Sequence, residues 1–109
     1  MRTAPKIGEL RSELILEEPV AVVDGQGGRT VEWSAVGLIY GRVEPTGRRE
    51  TLEDGRLTGL VTHIVTVRQR SDIVSGQRLI AGARALRILA TVPIDQSGRF
   101  LDLLAEEER

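Results

Sequence analysis

The chain has 109 residues, carries 15 Lys and Arg against 16 Asp and Glu for a net charge of −1, and contains no cysteine. That length supports one domain with a modest core, and the lack of cysteine excludes a disulfide scaffold or a thiolate metal site. The balanced charge gives no general pull toward nucleic acid, and the three aromatics, Trp33, Tyr40 and Phe100, leave little on which bases could stack.

The first stretch, MRTAPKIGELRSEL, has no apolar segment of signal-peptide type, and no later run approaches the length of a membrane span, so a soluble intracellular protein without membrane contact is expected. Short β-branched runs punctuated by Gly, Asp and Pro predict an all-β domain. The first runs through Leu14, Ile15 and Leu16 and continues past Pro19 from Val20 to Val23. A proline there removes a ladder donor and predicts an edge strand or a bulge. Asp24-Gly25-Gln26-Gly27-Gly28 suits a hairpin loop. The second run, Thr30 to Pro45, is too long for one straight strand, and Gly37 and Gly41 mark bends of the kind found at barrel corners.

A charged stretch follows, VEPTGRRETLEDGRLTGLV. A connection of this length in a compact domain is commonly either functional or disordered, and RETLED, Arg49 to Asp54, has the composition for a turn or two of helix. Thr62 to Arg70 alternates, with His63, Val65 and Val67 on one face and Thr62, Thr66 and Arg68 on the other. Gln77 to Ala81 and Arg84 to Val92 flank a turn at Gly82, with Leu86, Ile88, Ala90 and Val92 sharing a face. A turn at Pro93 to Gly98 leads to the last strand, Arg99 to Leu104, and a polar Glu-Glu-Glu-Arg tail.

About six strands, with one long loop after the second, predict a closed or partly open β-barrel or a small sandwich. The expected core is Leu14, Leu16, Trp33, Val43, Val65, Val67, Leu86, Ile88, Phe100 and Leu103. On that reading truncation of Phe100 to Ala costs about 3–5 kcal/mol.

Candidate chemistry is sparse. His63 is the only histidine and reads as a half-buried strand residue, with no nucleophile in a recognisable setting around it. GQGG lacks the Lys-Ser/Thr pair and the helix of a phosphate loop. Glu17-Glu18 and Glu106-Glu107-Glu108 have no evident partner for acid/base work and read as solvated charge. No catalytic set, metal site or cofactor is expected. The mixed-sign cluster Arg48, Arg49, Glu50, Glu53, Asp54 and Arg56 fits ion pairing with a neighbouring protein better than tracking of phosphates.

In order, these segments resemble the head-closure, or stopper, proteins that join head and tail in tailed bacteriophages. The resemblance rests on Leu14-x-Leu16-x-x-Pro19, the Asp24-Gly25-x-Gly27 hairpin, Trp33, Tyr40-Gly41-x-Val43-x-Pro45 and Thr46-Gly47-Arg48-x-Glu50. The last is similar to a family Pro-x-Ser-Gly-Arg-Glu motif, with Thr for Ser and one extra arginine. It continues through Thr62-His63-x-Val65-x-Val67-Arg68-x-Arg70, Gly76-x-Arg78-Leu79 and Gly98-Arg99-Phe100-Leu101-x-Leu103, and so spans about Leu10 to Glu106. Leu86 stands where the family often has an aromatic, and Leu104-Ala105 where it often has a cysteine.

The resemblance implies a small β-barrel that is a non-enzymatic subunit of a virion or phage-like particle, from a phage, a prophage or a gene transfer agent, assembled in the bacterial cytoplasm. It further implies a ring, sixfold or twelvefold, below the portal and adaptor, which retains packaged DNA and offers a platform to the tail terminator or tail tube. DNA would pass its channel without sequence-specific binding. Thr46, Gly47, Arg48, Arg49, Glu50, Glu53, Asp54 and Arg56 would then form an assembly or channel loop that orders on contact with its neighbours. The rival from another class is a small barrel-type module that binds nucleic acid or peptide as a monomer.

Charge balance and aromatic scarcity separate these readings. The purified protein should show no submicromolar DNA binding at physiological salt in a titration. Tight binding that weakens steeply with salt would favour the monomeric module.

Overall fold

A computed structural model describes residues 4–6, 8–46, 49–50 and 59–108. The strands are β1 (Ser12–Val23), β2 (Arg29–Pro45), β3 (Arg49–Glu50), β4 (Gly59–Leu60), β5 (His63–Arg68), β6 (Arg78–Ala81), β7 (Arg84–Pro93) and β8 (Phe100–Glu108). Six of them close a barrel in the order β1-β2-β5-β8-β7-β6, while β3 and β4 pair separately. All pairings are antiparallel, and the ring closes where Ile15, Leu16 and Glu17 of β1 meet Ile80, Leu79 and Arg78 of β6.

The inward faces supply the core: Leu14 and Leu16 from β1, Ile39 from β2, Val65 and Val67 from β5, Leu79 from β6, Leu86 and Ile88 from β7, and Leu101, Leu103 and Ala105 from β8. Ile73 joins this cluster from the β5–β6 loop. That loop is fixed by Gln77, whose side-chain oxygen accepts from the Val74 amide at 2.8 Å and whose amide nitrogen donates to the Asp72 carbonyl at 2.8 Å. At Gly41 an added Cβ would lie 3.0 Å from Leu14 Cδ1, the Thr66 carbonyl oxygen and Val67 Cγ1, so the corner predicted there admits no side chain. Pro19 stands beyond the last β1–β6 pair, where β1 has β2 alone as a neighbour and a missing donor is tolerated.

Several expectations are corrected. Trp33 and Phe100 are half-buried and lie outside the core. The extra residue Val36, opposite the β1 step from Leu16 to Glu17, is a bulge that inverts the alternation of β2, so Val43 packs against the core while Trp33 faces out. Phe100 is odd-numbered steps from Leu101 and Leu103, which point in. A second bulge at Leu89 turns Ala90 and Val92 outward, leaving Val92 43% exposed. Ile64 and Thr66 on the outer face of β5 are buried too, and Thr66 donates to Asp102 at 2.6 Å.

The acidic end is not a free tail either. Glu106, Glu107 and Glu108 continue β8 opposite Arg87, Leu86 and Ala85, because arginines on neighbouring strands offset their charge. Arg87 lies 3.6 Å from Glu106, and Arg78 lies 3.8 Å from Glu108. Arg49 and Glu50, where a helical turn was expected to begin, are strand; Thr51 to Asp54 lie outside the described residues.

Leu103→Ala should therefore lower unfolding free energy by about 2–5 kcal/mol. Gly41→Ala should cost about 1–3 kcal/mol through overpacking, and Phe100→Ala should cost less than Leu103→Ala. Urea denaturation of the three variants checks the ranking.

Candidate assembly interface

Two ribbons leave the barrel. The smaller begins at the rim, where the β2–β5 ladder ends at Pro45 opposite His63. The Thr46 amide donates to the Thr62 carbonyl at 2.7 Å, and Arg49 and Glu50 then pair with Leu60 and Gly59. The charged stretch read as a loop thus begins and ends as a strand pair. Of the predicted site residues, Thr46 is half-buried at the rim, and Arg49 and Glu50 form β3. Gly47, Arg48, Glu53, Asp54 and Arg56 lie outside the described residues.

Beneath this ribbon the barrel mouth is closed by polar groups. His63 is only 6% exposed. Its Nδ1 lies 2.9 Å from the Thr62 hydroxyl, and its Nε2 lies 3.5 Å from Arg84 Nη1 and 4.0 Å from Glu107 Oε1. The Glu107 amide donates to the same hydroxyl at 2.7 Å. These partners satisfy a histidine at the end of a core, which is a packing role. Among the described residues no three His, Asp or Glu side chains gather as a metal site.

The larger ribbon is the outer half of the β1–β2 hairpin, which sequence reasoning did not single out. From Pro19 to Val23 and from Arg29 to Trp33 the two strands pair with each other alone. Asp24 holds the tip: its Oδ1 accepts from the amides of Gln26 at 2.9 Å and Gly28 at 2.8 Å, and Gly27 turns with φ +86°. Register places Glu13/Tyr40, Ile15/Leu38, Glu17/Ala35, Pro19/Trp33, Ala21/Val31 and Val23/Arg29 on one outward face. Much of it is apolar and open, with Ile15 41%, Leu38 54%, Tyr40 49%, Val31 61% and Val23 69% exposed. At the ribbon's root Arg78 stacks 4.3 Å from the Trp33 ring centre and pairs with Glu17 at 2.7 Å. Strand length was the available signal, since 12 and 17 residues exceed what β5, with 6, can cover.

The segment preceding β1 is tied down beside β2. Glu9 pairs with Arg42 at 2.8 Å, and its carboxyl is held below the ordinary carboxylate range, first by the Lys6 backbone amide and then by the Arg42 guanidinium. The tie is thus present above the ordinary carboxylate pKa and is lost as pH falls through the lowered value.

The barrel with its two projecting ribbons is matched by known proteins. The phage head completion protein family covers residues 5–108. The chain belongs to that family. A chain in the structure of the virion of a native gene transfer agent particle is 32% identical, with 91% of this chain and 96% of that chain covered and a TM-score of 0.66. The solution structure of protein SF1141 from Shigella flexneri 2a matches at 22% identity over 94% of this chain and 96% of that one, with a TM-score of 0.70, and shares the fold. No curated protein matches. As a head completion protein the chain is a structural component of a phage-like particle and not an enzyme.

If the ribbon tip is a local unit, Asp24→Ala should leave the thermal midpoint of the barrel near wild type. Limited trypsin digestion should then cut after Arg29 faster than in the wild type, because two tip amides lose their acceptor.

Proposed function

We propose that this head completion protein forms a ring below the portal-bound adaptor, retains packaged DNA and gives the tail its attachment platform. The observation that carries the reading is the family match over residues 5–108 together with the 32% identical chain in a gene transfer agent virion. The geometry agrees with it. A closed barrel is a self-sufficient support, and the β1–β2 ribbon presents backbone and apolar surface that the barrel leaves uncovered, as expected of a part completed by neighbours. Symmetry then repeats each weak contact at every interface of a ring.

On this reading the stretch from Thr46 to Leu60, which begins at the barrel rim and includes β3 and β4, faces the channel or an adjacent subunit. Its charges pair there with those of other copies. The near-neutral net charge of −1 suits a conduit past which DNA slides, since a strongly basic lumen would retain it.

Replacing Arg48 and Arg49 with Ala should leave the melting temperature of the isolated protein close to wild type, as for surface substitutions generally. Particles complemented with the double variant should leak DNA or lack tails by electron microscopy. Full-length tailed particles would remove the stretch from assembly, and a collapsed melting temperature would place it in the fold.

A further inference from the structure

The two mouths of the barrel differ. At the start of β5 the mouth is closed by hydrogen bonds among His63, Thr62 and Glu107. At the far end of β5 a hollow of about 690 Å³ opens between the segment before β1 and the ends of β5 and β8. Its floor is apolar: Ile39 and Val67 belong to the core, and Leu10, Tyr40 and Phe100 extend the lining outward. Its wall has Lys6, Arg68, Arg70 and Arg99 and, among the described residues, no carboxylate. An apolar recess of this size with a few convergent polar groups has the form of a binding site.

The charge of the wall is not cancelled by its surroundings. Of the four cations only Arg70 has an ion pair among the described residues, with Asp72 at 2.7 Å. The bordering acids are engaged elsewhere. Glu9 accepts from the Lys6 amide at 3.0 Å and pairs with Arg42 at 2.8 Å, and Asp95 accepts from the Ser97 amide at 2.9 Å. Glu13 accepts only from the Tyr40 hydroxyl, at 3.5 Å, and is not part of the lining. Lys6, Arg68 and Arg99 therefore stand exposed over an apolar floor, with Arg68 5.7 Å from the Phe100 ring centre.

That combination selects the occupant. A phosphate backbone would use the cations and leave the apolar floor uncovered. An extended peptide with an apolar side chain between carboxylates uses both. The acid-rich strands of this chain are not free to supply it, because Glu17 pairs with Arg78, and Glu106 and Glu108 with Arg87 and Arg78, across the barrel ladders. The stretch from Arg48 to Arg56 has three arginines beside its three acids and would bring cations to a cationic wall. We propose that the hollow binds an extended acidic segment of another protein of the particle. An apolar side chain of that segment sits on Ile39, Val67 and Phe100, and its carboxylates are held by Arg68, Arg99 and Lys6. The inference rests on the assembly reading above and adds to it the chemistry of one partner.

The test places a photo-cross-linking amino acid at Gln69, an exposed residue of the lining, in complemented particles and identifies the product by mass spectrometry. The expected product joins this chain to a segment of another particle protein that has net negative charge and an apolar residue. Arg68→Glu combined with Arg99→Glu should abolish it while the thermal midpoint of the isolated variant stays near wild type, since both positions are exposed. Made as a labelled peptide, the segment should bind the isolated wild-type protein at least about tenfold more tightly than the double variant in an anisotropy titration, and more weakly as salt rises. Lys6→Glu, on a different segment, should weaken the same peptide. A cross-link to a second copy, to DNA or to a segment without net negative charge overturns the proposal. So does no cross-link, or a peptide affinity that charge reversal leaves unchanged. Imaging of the same particles separates the two levels: the chain at the head–tail junction without the cross-link rejects the role of the hollow and leaves the assembly reading, whereas absence of the chain from that junction rejects both.

Discussion

A closed barrel of short strands can use only as much of each strand as its neighbours cover. Here β5 offers 6 residues and β6 offers 4, whereas β1 and β2 run for 12 and 17. The surplus has nowhere to go but outward. Closure depends on the few pairs between Ile15–Glu17 and Arg78–Ile80, and at the opposite side of β2 on the close approach that only glycine permits at position 41. Once the ring is shut, the inward faces of all six strands are dry and the remainder of the hairpin is left with one ladder and no floor. A two-stranded ribbon alone is marginal in water, so the barrel is the part that folds by itself and the ribbon is the part that needs another surface.

The same division is visible in the electrostatics. Charges on the barrel are largely consumed locally: Arg78 bridges Glu17 and Glu108 while covering Trp33, Arg87 faces Glu106, and Arg42 lies between Glu9 and Glu44. Partly exposed pairs of this kind contribute modestly to stability, but they fix which strands lie beside which and keep an acidic β8 terminus in register. The outer hairpin, from Pro19 to Trp33, carries only three charged residues, Asp24, Arg29 and Glu32. On the proposed reading the core is stable before assembly, while the hairpin surface remains open until its neighbours arrive.

Much of this was legible in the residues. Alternation located the barrel strands, Asp24 to Gly28 announced the hairpin, and Gly41 announced the corner. The misplacements have a common physical origin. Trp33 and Val43 are an even number of steps apart and would share a face, as would Ile88 and Val92, if no bulge intervened. Val36 and Leu89 each insert a residue, and no side-chain pattern marks them, since both are ordinary strand formers. Phe100 was read as core from its residue type although its parity relative to Leu101 and Leu103 already turned it outward. The acidic terminus was read as solvated because the arginines that offset it lie 19 to 30 positions away in sequence and meet it only through the sheet. Of the predicted assembly residues, Arg49 and Glu50 form a strand that the sequence did not disclose, and the larger hairpin face is legible only when strand length is set against what the barrel can cover.

On the proposed reading the barrel is complete in the free chain and the β1–β2 ribbon is completed only in the particle. Amide hydrogen exchange, measured on the isolated protein and on assembled particles, tests it most directly. Amides of His63–Arg68 and Leu101–Ala105 should be protected in both states. Those of Val20–Val23 and Arg29–Trp33 should exchange rapidly in the free chain and become protected in the particle. Equal protection of the ribbon in both states, or exposure in both, would contradict the claim.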